Sequence, residues 1–93
     1  MEGHVILADD DRSLRMILTQ ALSRAGCKVR ATGTLSTLWR WLEDGEGDVL
    51  VTDVMMPDGD TLELIPRIKK KRPDMPIIVM SAKNNINTAM RAN

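Results

Sequence analysis

An α/β fold, a parallel sheet carrying helices on both faces, is the architecture this sequence predicts, and two observations predict it. Four strand-like runs alternate with four stretches of helical periodicity along 93 residues, the pattern of parallel strands joined by crossover helices. Most of those runs are apolar without alternation, as strands covered on both sides are.

Val5-Ile6-Leu7-Ala8 is the first run, stopped by three consecutive aspartates. From Asp11 to Ala25 the apolar residues Leu14, Ile17, Leu18, Ala21, Leu22 and Ala25 form one helical stripe, with Asp11 as N-cap and Gly26 where a left-handed C′ residue belongs. Cys27 to Thr32 alternates as a half-exposed strand does, with Lys28 and Arg30 on one side. Thr34 or Ser36 caps a second helix bearing Leu35, Leu38, Trp39 and Leu42, broken by Glu43-Asp44-Gly45-Glu46-Gly47. Val49 to Thr52 is the third strand, ending at Asp53, and Met56-Pro57-Asp58-Gly59 is a turn. Asp60 and Glu63 suit a capping box for a third helix with Leu62, Ile65 and Ile68, which Pro66 should bend or shorten. Lys69-Lys70-Lys71-Arg72 closes that helix as a solvated basic turn favoured by the helix dipole. Pro76 to Met80 is a fourth buried strand ending at Ser81, and Asn84 or Asn85 caps a last helix with Ile86, Ala89 and Met90.

Composition narrows the function classes. Lys+Arg and Asp+Glu both number 13; zero net charge argues against general affinity for nucleic acid or an anionic membrane. Hydrophobic residues at 43% suffice for a core, built from aliphatics and seven Met because there are two Trp, no Phe and no Tyr. A lone Cys27 forms no internal disulfide and no apolar run approaches membrane-spanning length, so the expectation is a cytoplasmic domain. Cys27 reads as a small apolar residue. His4 reads as a surface residue at the far end of the first strand from the aspartates. Trp39 is expected in the core, and Trp41, two positions away on another helix face, is expected exposed as part of a partner surface.

The polar residues collect at one edge. In an open α/β sheet, ligands bind beyond the carboxyl ends of the strands, and there the chain places Asp9-Asp10-Asp11, Asp53 and Ser81. Asp9, Asp10 and Asp53 converge from neighbouring strands and do not all stay ionised unless a cation compensates them. Mg²⁺ fits best, since it takes few carboxylates, keeps waters and leaves room for a phosphate oxygen. A carboxylate so screened can act as a nucleophile and form an acyl phosphate.

These residues resemble the receiver domain of two-component response regulators over the whole chain. Val5 to Asp11 resembles the family's first strand with its acidic pair, Asp53-Val54-Met55-Met56-Pro57 its phosphoacceptor loop, and Ile78 to Ala82 its fourth strand with the switch hydroxyl. Pro66-Arg67-Ile68-Lys69-Lys70, Arg72-Pro73-Asp74 and Met80-Ser81-Ala82 resemble the nitrogen-regulation (NtrC-like) branch, whose receiver precedes an ATPase module and a DNA-binding module. The resemblance implies a flavodoxin-like (CheY-like) parallel sheet of order 2-1-3-4-5. It implies that Asp53 accepts a phosphoryl group from a sensor histidine kinase. Asp10 would ligate Mg²⁺ directly, Asp9 largely through water, and Asp53 and the backbone carbonyl of Met55 would supply further oxygens. Ser81 would contact the phosphoryl group and couple it to a conformational switch. On this reading the chain is a regulator phosphorylated on Asp rather than an enzyme.

Two departures from the family pattern stand out. Thr61 occupies the position where the family has a glycine, with Gly59 earlier instead. The family's conserved lysine closes a fifth strand and is absent from this chain; Lys83, just past Ser81, lies elsewhere in the fold. The expectation is a receiver domain over residues 1–93 truncated before strand five and helix five. Its fourth strand would then be an apolar edge, prone to dimerise through swapped or edge-paired segments. Two rivals remain at this level: a haloacid-dehalogenase-type phosphohydrolase using Asp9-x-Asp11 with Asp9 as nucleophile and Ser81 as its second motif, and an interaction fragment that is never phosphorylated.

Overall fold

The computed structural model describes residues 3–80. Strands β1 (His4–Ala8), β2 (Lys28–Thr32), β3 (Val49–Asp53) and β6 (Ile77–Met80) form a parallel sheet of order β2-β1-β3-β6. Between β3 and β6 lies a small antiparallel hairpin of β4 (Met55–Met56) and β5 (Gly59–Asp60). Helices α1 (Arg12–Arg24), α2 (Leu35–Glu43) and α3 (Thr61–Lys71) make the crossovers. The order matches the first four strands of the predicted 2-1-3-4-5 sheet. Ser81, Lys83 and the expected fourth helix lie outside the described residues.

β1 is flanked by a strand on each side, and Ile6, Leu7 and Ala8 are fully buried. Its side chains alternate between faces. Ile6 and Ala8 join Leu35, Leu38, Trp41, Leu42, Leu50, Met56, Ile68 and Met75 in one cluster beneath α2 and α3. Val5 and Leu7, buried but outside that cluster, point to the side covered by α1. Burying a side chain such as Leu38 or Leu42 contributes about 1.5–3 kcal/mol each, so the α2–α3 face is where the sheet is held most firmly.

The two faces differ more than the sequence implies. The predicted α1 stripe exists only as a narrow line: Leu14, Leu18 and Leu22 are half-buried, Ile17 is 61% exposed, and no α1 residue is fully buried. α1 is the only described helix on its face and touches the sheet along β1 and β2, so its flanks meet solvent. The tryptophans correct the expectation directly. Trp41 is a core residue, because α2 turns Leu35, Leu38, Trp41 and Leu42 inward. Trp39 is half-buried at the rim, with the Arg67 guanidinium 4.6 Å from its ring centroid. The i, i+3 step from Leu38 prevails over the i, i+4 step from Leu35.

Helix boundaries follow local chemistry. Asp11 caps α1 by accepting from Leu14 N, Thr34 caps α2 by accepting from Thr37 N, and Asp60 caps α3 by accepting from Leu62 N. Pro66 does not shorten α3, which runs on to Lys71. The three lysines of its last turn are exposed as expected, but Arg72 is not part of a solvated run. Its guanidinium turns back to donate to the carbonyls of Leu42 (3.2 Å), Glu46 (2.9 Å) and Gly47 (2.7 Å). Gly47 is required there: its φ is +83°, and a Cβ would lie 2.4 Å from Ile6 Cγ1 in the core. The fourth strand, expected buried, is half-exposed, with Ile78 54% exposed and only β3 beside it among the described residues.

Candidate functional site

The parallel register sets the geometry. Ala8 pairs with Thr52, so Asp9 and Asp53 stand level at the carboxyl ends of adjacent strands. Asp9, Asp10 and Asp53 each bring one carboxylate oxygen within 4.8 Å of the others, a convergence the sequence anticipated. Asp11 does not join them: it is exposed, and its Oδ1 caps α1. The Asp9-x-Asp11 pair needed by the phosphohydrolase reading is therefore divided between a buried cluster and a helix cap.

Within the cluster the three carboxylates differ. Asp9 is 1% exposed; its Oδ1 accepts from Asp11 N at 2.8 Å, and its Oδ2 is buried with no hydrogen-bond partner among the described residues. Burial holds the Asp9 carboxyl above its ordinary pKa, with the neighbouring Asp53, Asp10 and Asp11 charges adding to the rise and the Asp11 amide opposing it. Behind it, Arg15 Nη1 donates to the Asp9 carbonyl at 2.7 Å and the Asp9 amide donates to Thr32 O. Asp53 is half-buried, and its Oδ1 accepts from Val54 N at 2.7 Å, which leaves its other oxygen without a described protein donor. Asp10 is exposed.

A buried carboxylate oxygen with no donor, crowded by two like charges, is a defect in a closed protein and a requirement for a cation ligand. The donor set is all oxygen and carries three negative charges, which suits a hard divalent ion such as Mg²⁺. The site fits the ion on its own chemistry.

Met55 lies in β4, its side chain exposed, two residues past Asp53. The predicted turn Met56 to Gly59 is the tip of the β4–β5 hairpin, and three contacts hold it. Met56 is buried in the core, Thr61 N donates to Val54 O at 2.8 Å, and Asp58 reaches back to α2. Thr61, at the position where a glycine was expected, is itself fully buried at the start of α3. Asp58 Oδ1 accepts from Leu35 N at 2.8 Å and Oδ2 from Ser36 N at 3.0 Å, and these two donors hold its carboxyl below the usual range. Sequence reasoning read Asp58 only as a turn former. Nothing local indicates that it caps a helix 22 residues upstream.

A family model described as the response regulator receiver domain matches residues 5–93. The chain belongs to that family. Among curated relatives it is 61% identical over 88 residues to a DNA-binding transcriptional regulator NtrC of Azospirillum brasilense, covering 95% of this chain and 18% of that protein. It is 57% identical over 89 residues to the NtrC of a Bradyrhizobium strain, covering 96% of this chain and 18% of that one. The chain thus spans less than a fifth of the length of these relatives. The solution structure of a beryllofluoride-activated NtrC4 receiver domain dimer superposes with a TM-score of 0.87 at 31% identity, covering 96% of this chain and 74% of that one. The receiver fold and its NtrC-like branch are as the sequence implied. Among the described residues no helix is long and apolar enough to cross a membrane.

Proposed function

We propose that this receiver domain is the phosphoacceptor of a two-component transcriptional regulator of the nitrogen-responsive type, with Asp53 as the residue modified. The observation that carries the assignment is the meeting of Asp9, Asp10 and Asp53 around an unpartnered buried oxygen in a chain of this family. The Val54 amide fixes one oxygen of Asp53 and leaves the other free to attack. That oxygen forms a bond to phosphorus as the P–N bond of a kinase phosphohistidine breaks, and the imidazole leaves with the electron pair. The product is an acyl phosphate on Asp53. Mg²⁺, when bound, neutralises charge between the incoming phosphoryl oxygens and the carboxylates. Asp10 would hold it directly, Asp9 largely through water, with the Asp53 carboxylate and the Met55 carbonyl as further donors. Ser81 would receive the phosphoryl oxygen and bias the switch.

The wider protein would add a sensor histidine kinase as partner, an ATPase module and a DNA-binding module. Support for these comes from the names of the relatives and from the family. Dimerisation is supported by the NtrC4 receiver dimer and by the exposed Ile78 on β6. This segment itself would bind neither nucleic acid nor membrane, and its place would be the cytoplasm.

Incubation of the full-length protein with a small-molecule phosphodonor and Mg²⁺, followed by reductive trapping and mass spectrometry, tests the reading. Label on Asp53 that disappears in Asp53→Asn is expected. Label on Asp9 would instead support the phosphohydrolase chemistry.

A further inference from the structure

The proposed metal site draws on two separate loops, one bearing Asp9 and Asp10 and one bearing Met55, and one short segment touches both. Thr32 O accepts the Asp9 amide, on the loop that carries Asp9 and Asp10. Three and four residues later, the Leu35 and Ser36 amides donate to the two oxygens of Asp58, on the hairpin that follows Asp53 and carries Met55. Within the segment, Thr34 N donates to Thr32 Oγ1 and Thr37 N to Thr34 Oγ1, so it is tied to itself as well. The first three amides of α2 are thus satisfied, two from the hairpin by Asp58 and one from within by Thr34.

We infer that Asp58 is a positioning residue for the metal site: by clamping the β4–β5 hairpin onto the start of α2 it fixes the distance from Met55, on the hairpin, to Asp9 and Asp10, while Asp53 is placed by the β1–β3 register. The clamp is bidentate, with each Asp58 oxygen taking one amide, and so restricts the rotation of the hairpin as well as its distance. The inference rests on the Mg²⁺ reading of the acidic site. It differs from ordinary helix capping because Thr34 offers a matched comparison. Thr34→Ala removes a cap from the same helix end without releasing the hairpin.

The test is a Mg²⁺ titration of ¹⁵N-labelled protein, followed through the amide signals of Asp10, Asp53 and Val54. Three variants are compared with wild type: Asp58→Ala, Asp58→Asn and Thr34→Ala. Asp58→Ala is expected to weaken Mg²⁺ binding about tenfold, the scale on which support lost behind metal ligands is felt. Thr34→Ala should stay within about twofold, since it leaves both ligand loops attached. Asn keeps one acceptor while losing the same charge as Ala, so Asp58→Asn should fall between Ala and wild type. It also carries the test if Asp58→Ala fails to fold. Equal weakening in Asp58→Asn and Asp58→Ala would reduce the effect to charge, and equal weakening in Thr34→Ala would reduce it to helix fraying. Either result overturns the inference, as does wild-type affinity in Asp58→Ala or Asp58→Asn. Absence of saturable shifts in wild type would instead overturn the Mg²⁺ reading beneath it.

Discussion

The two ends of the sheet solve the same problem in opposite ways. At the amino ends of the strands, polar groups are matched almost one to one. Arg72 answers three carbonyls, one in the last turn of α2 and two in the α2–β3 connection, Arg30 pairs with Glu46, and the His4 amide donates to Asp48 Oδ2. At the carboxyl ends, three carboxylates crowd together, and two buried oxygens, Asp9 Oδ2 and Thr61 Oγ1, have no hydrogen-bond partner among the described residues. The difference lies in side-chain chemistry. A region built for stability completes its hydrogen bonds, and a region built to receive a ligand leaves some incomplete.

Supplying a divalent cation is the strongest way to act on that contrast. Mg²⁺ at about 100 times its Kd should raise the unfolding free energy by ~2.7 kcal/mol, by mass action on the folded state alone. Calorimetry with and without a chelator reads this directly, and an unchanged Tm would mean that the acidic end holds no ion.

Breaking the opposite end should cost slightly less. Arg72→Ala strips the donors from three carbonyls and should destabilise the fold by about 2 kcal/mol in urea titrations. Arg72→Lys should recover little, because a single ammonium does not reproduce a planar fork of donors. Mg²⁺ affinity should not change in either variant.

The smallest change sharpens the comparison most. Asp9→Asn keeps an oxygen for the Asp11 amide, removes a buried charge from beside two others, and should stabilise the metal-free fold by about 1 kcal/mol while weakening Mg²⁺ binding. The sign follows from linkage. The folded state raises the Asp9 pKa, so it binds that proton more tightly than the unfolded chain does. In metal-free buffer, stability therefore falls as pH rises from the ordinary carboxylate pKa through the higher folded value. Asp9→Asn should lose that slope. A slope of equal size in the variant would place its origin at another group.

Much of this organisation was legible before any coordinates. The capping roles of Asp11 and Asp60 and the convergence of Asp9, Asp10 and Asp53 follow from short-range pattern plus the rules of parallel sheets, and the strand order came with the family resemblance. What escaped was tertiary. Trp41 and Trp39 exchanged places because a stripe of 3.6-residue period tolerates either neighbour, and only the packing partner decides. Arg72 looked like a solvated charge and Asp58 like a turn former because each finds its partners more than 20 residues away. The exposed flank of α1 could not be foreseen from its periodicity, which reports the presence of an apolar side and not its width.

The central place of β1 has a kinetic meaning as well. It is made before the other strands of this sheet, yet its second edge stays open until residues 49–52 arrive to pair with it. Parallel pairing across such intervals closes large loops before it is rewarded, which makes it a late event in folding. The same event carries Asp53 to the side of Asp9. The chain therefore brings its three aspartates together in the step that seats β3 against β1, and partly assembled forms expose them without that arrangement.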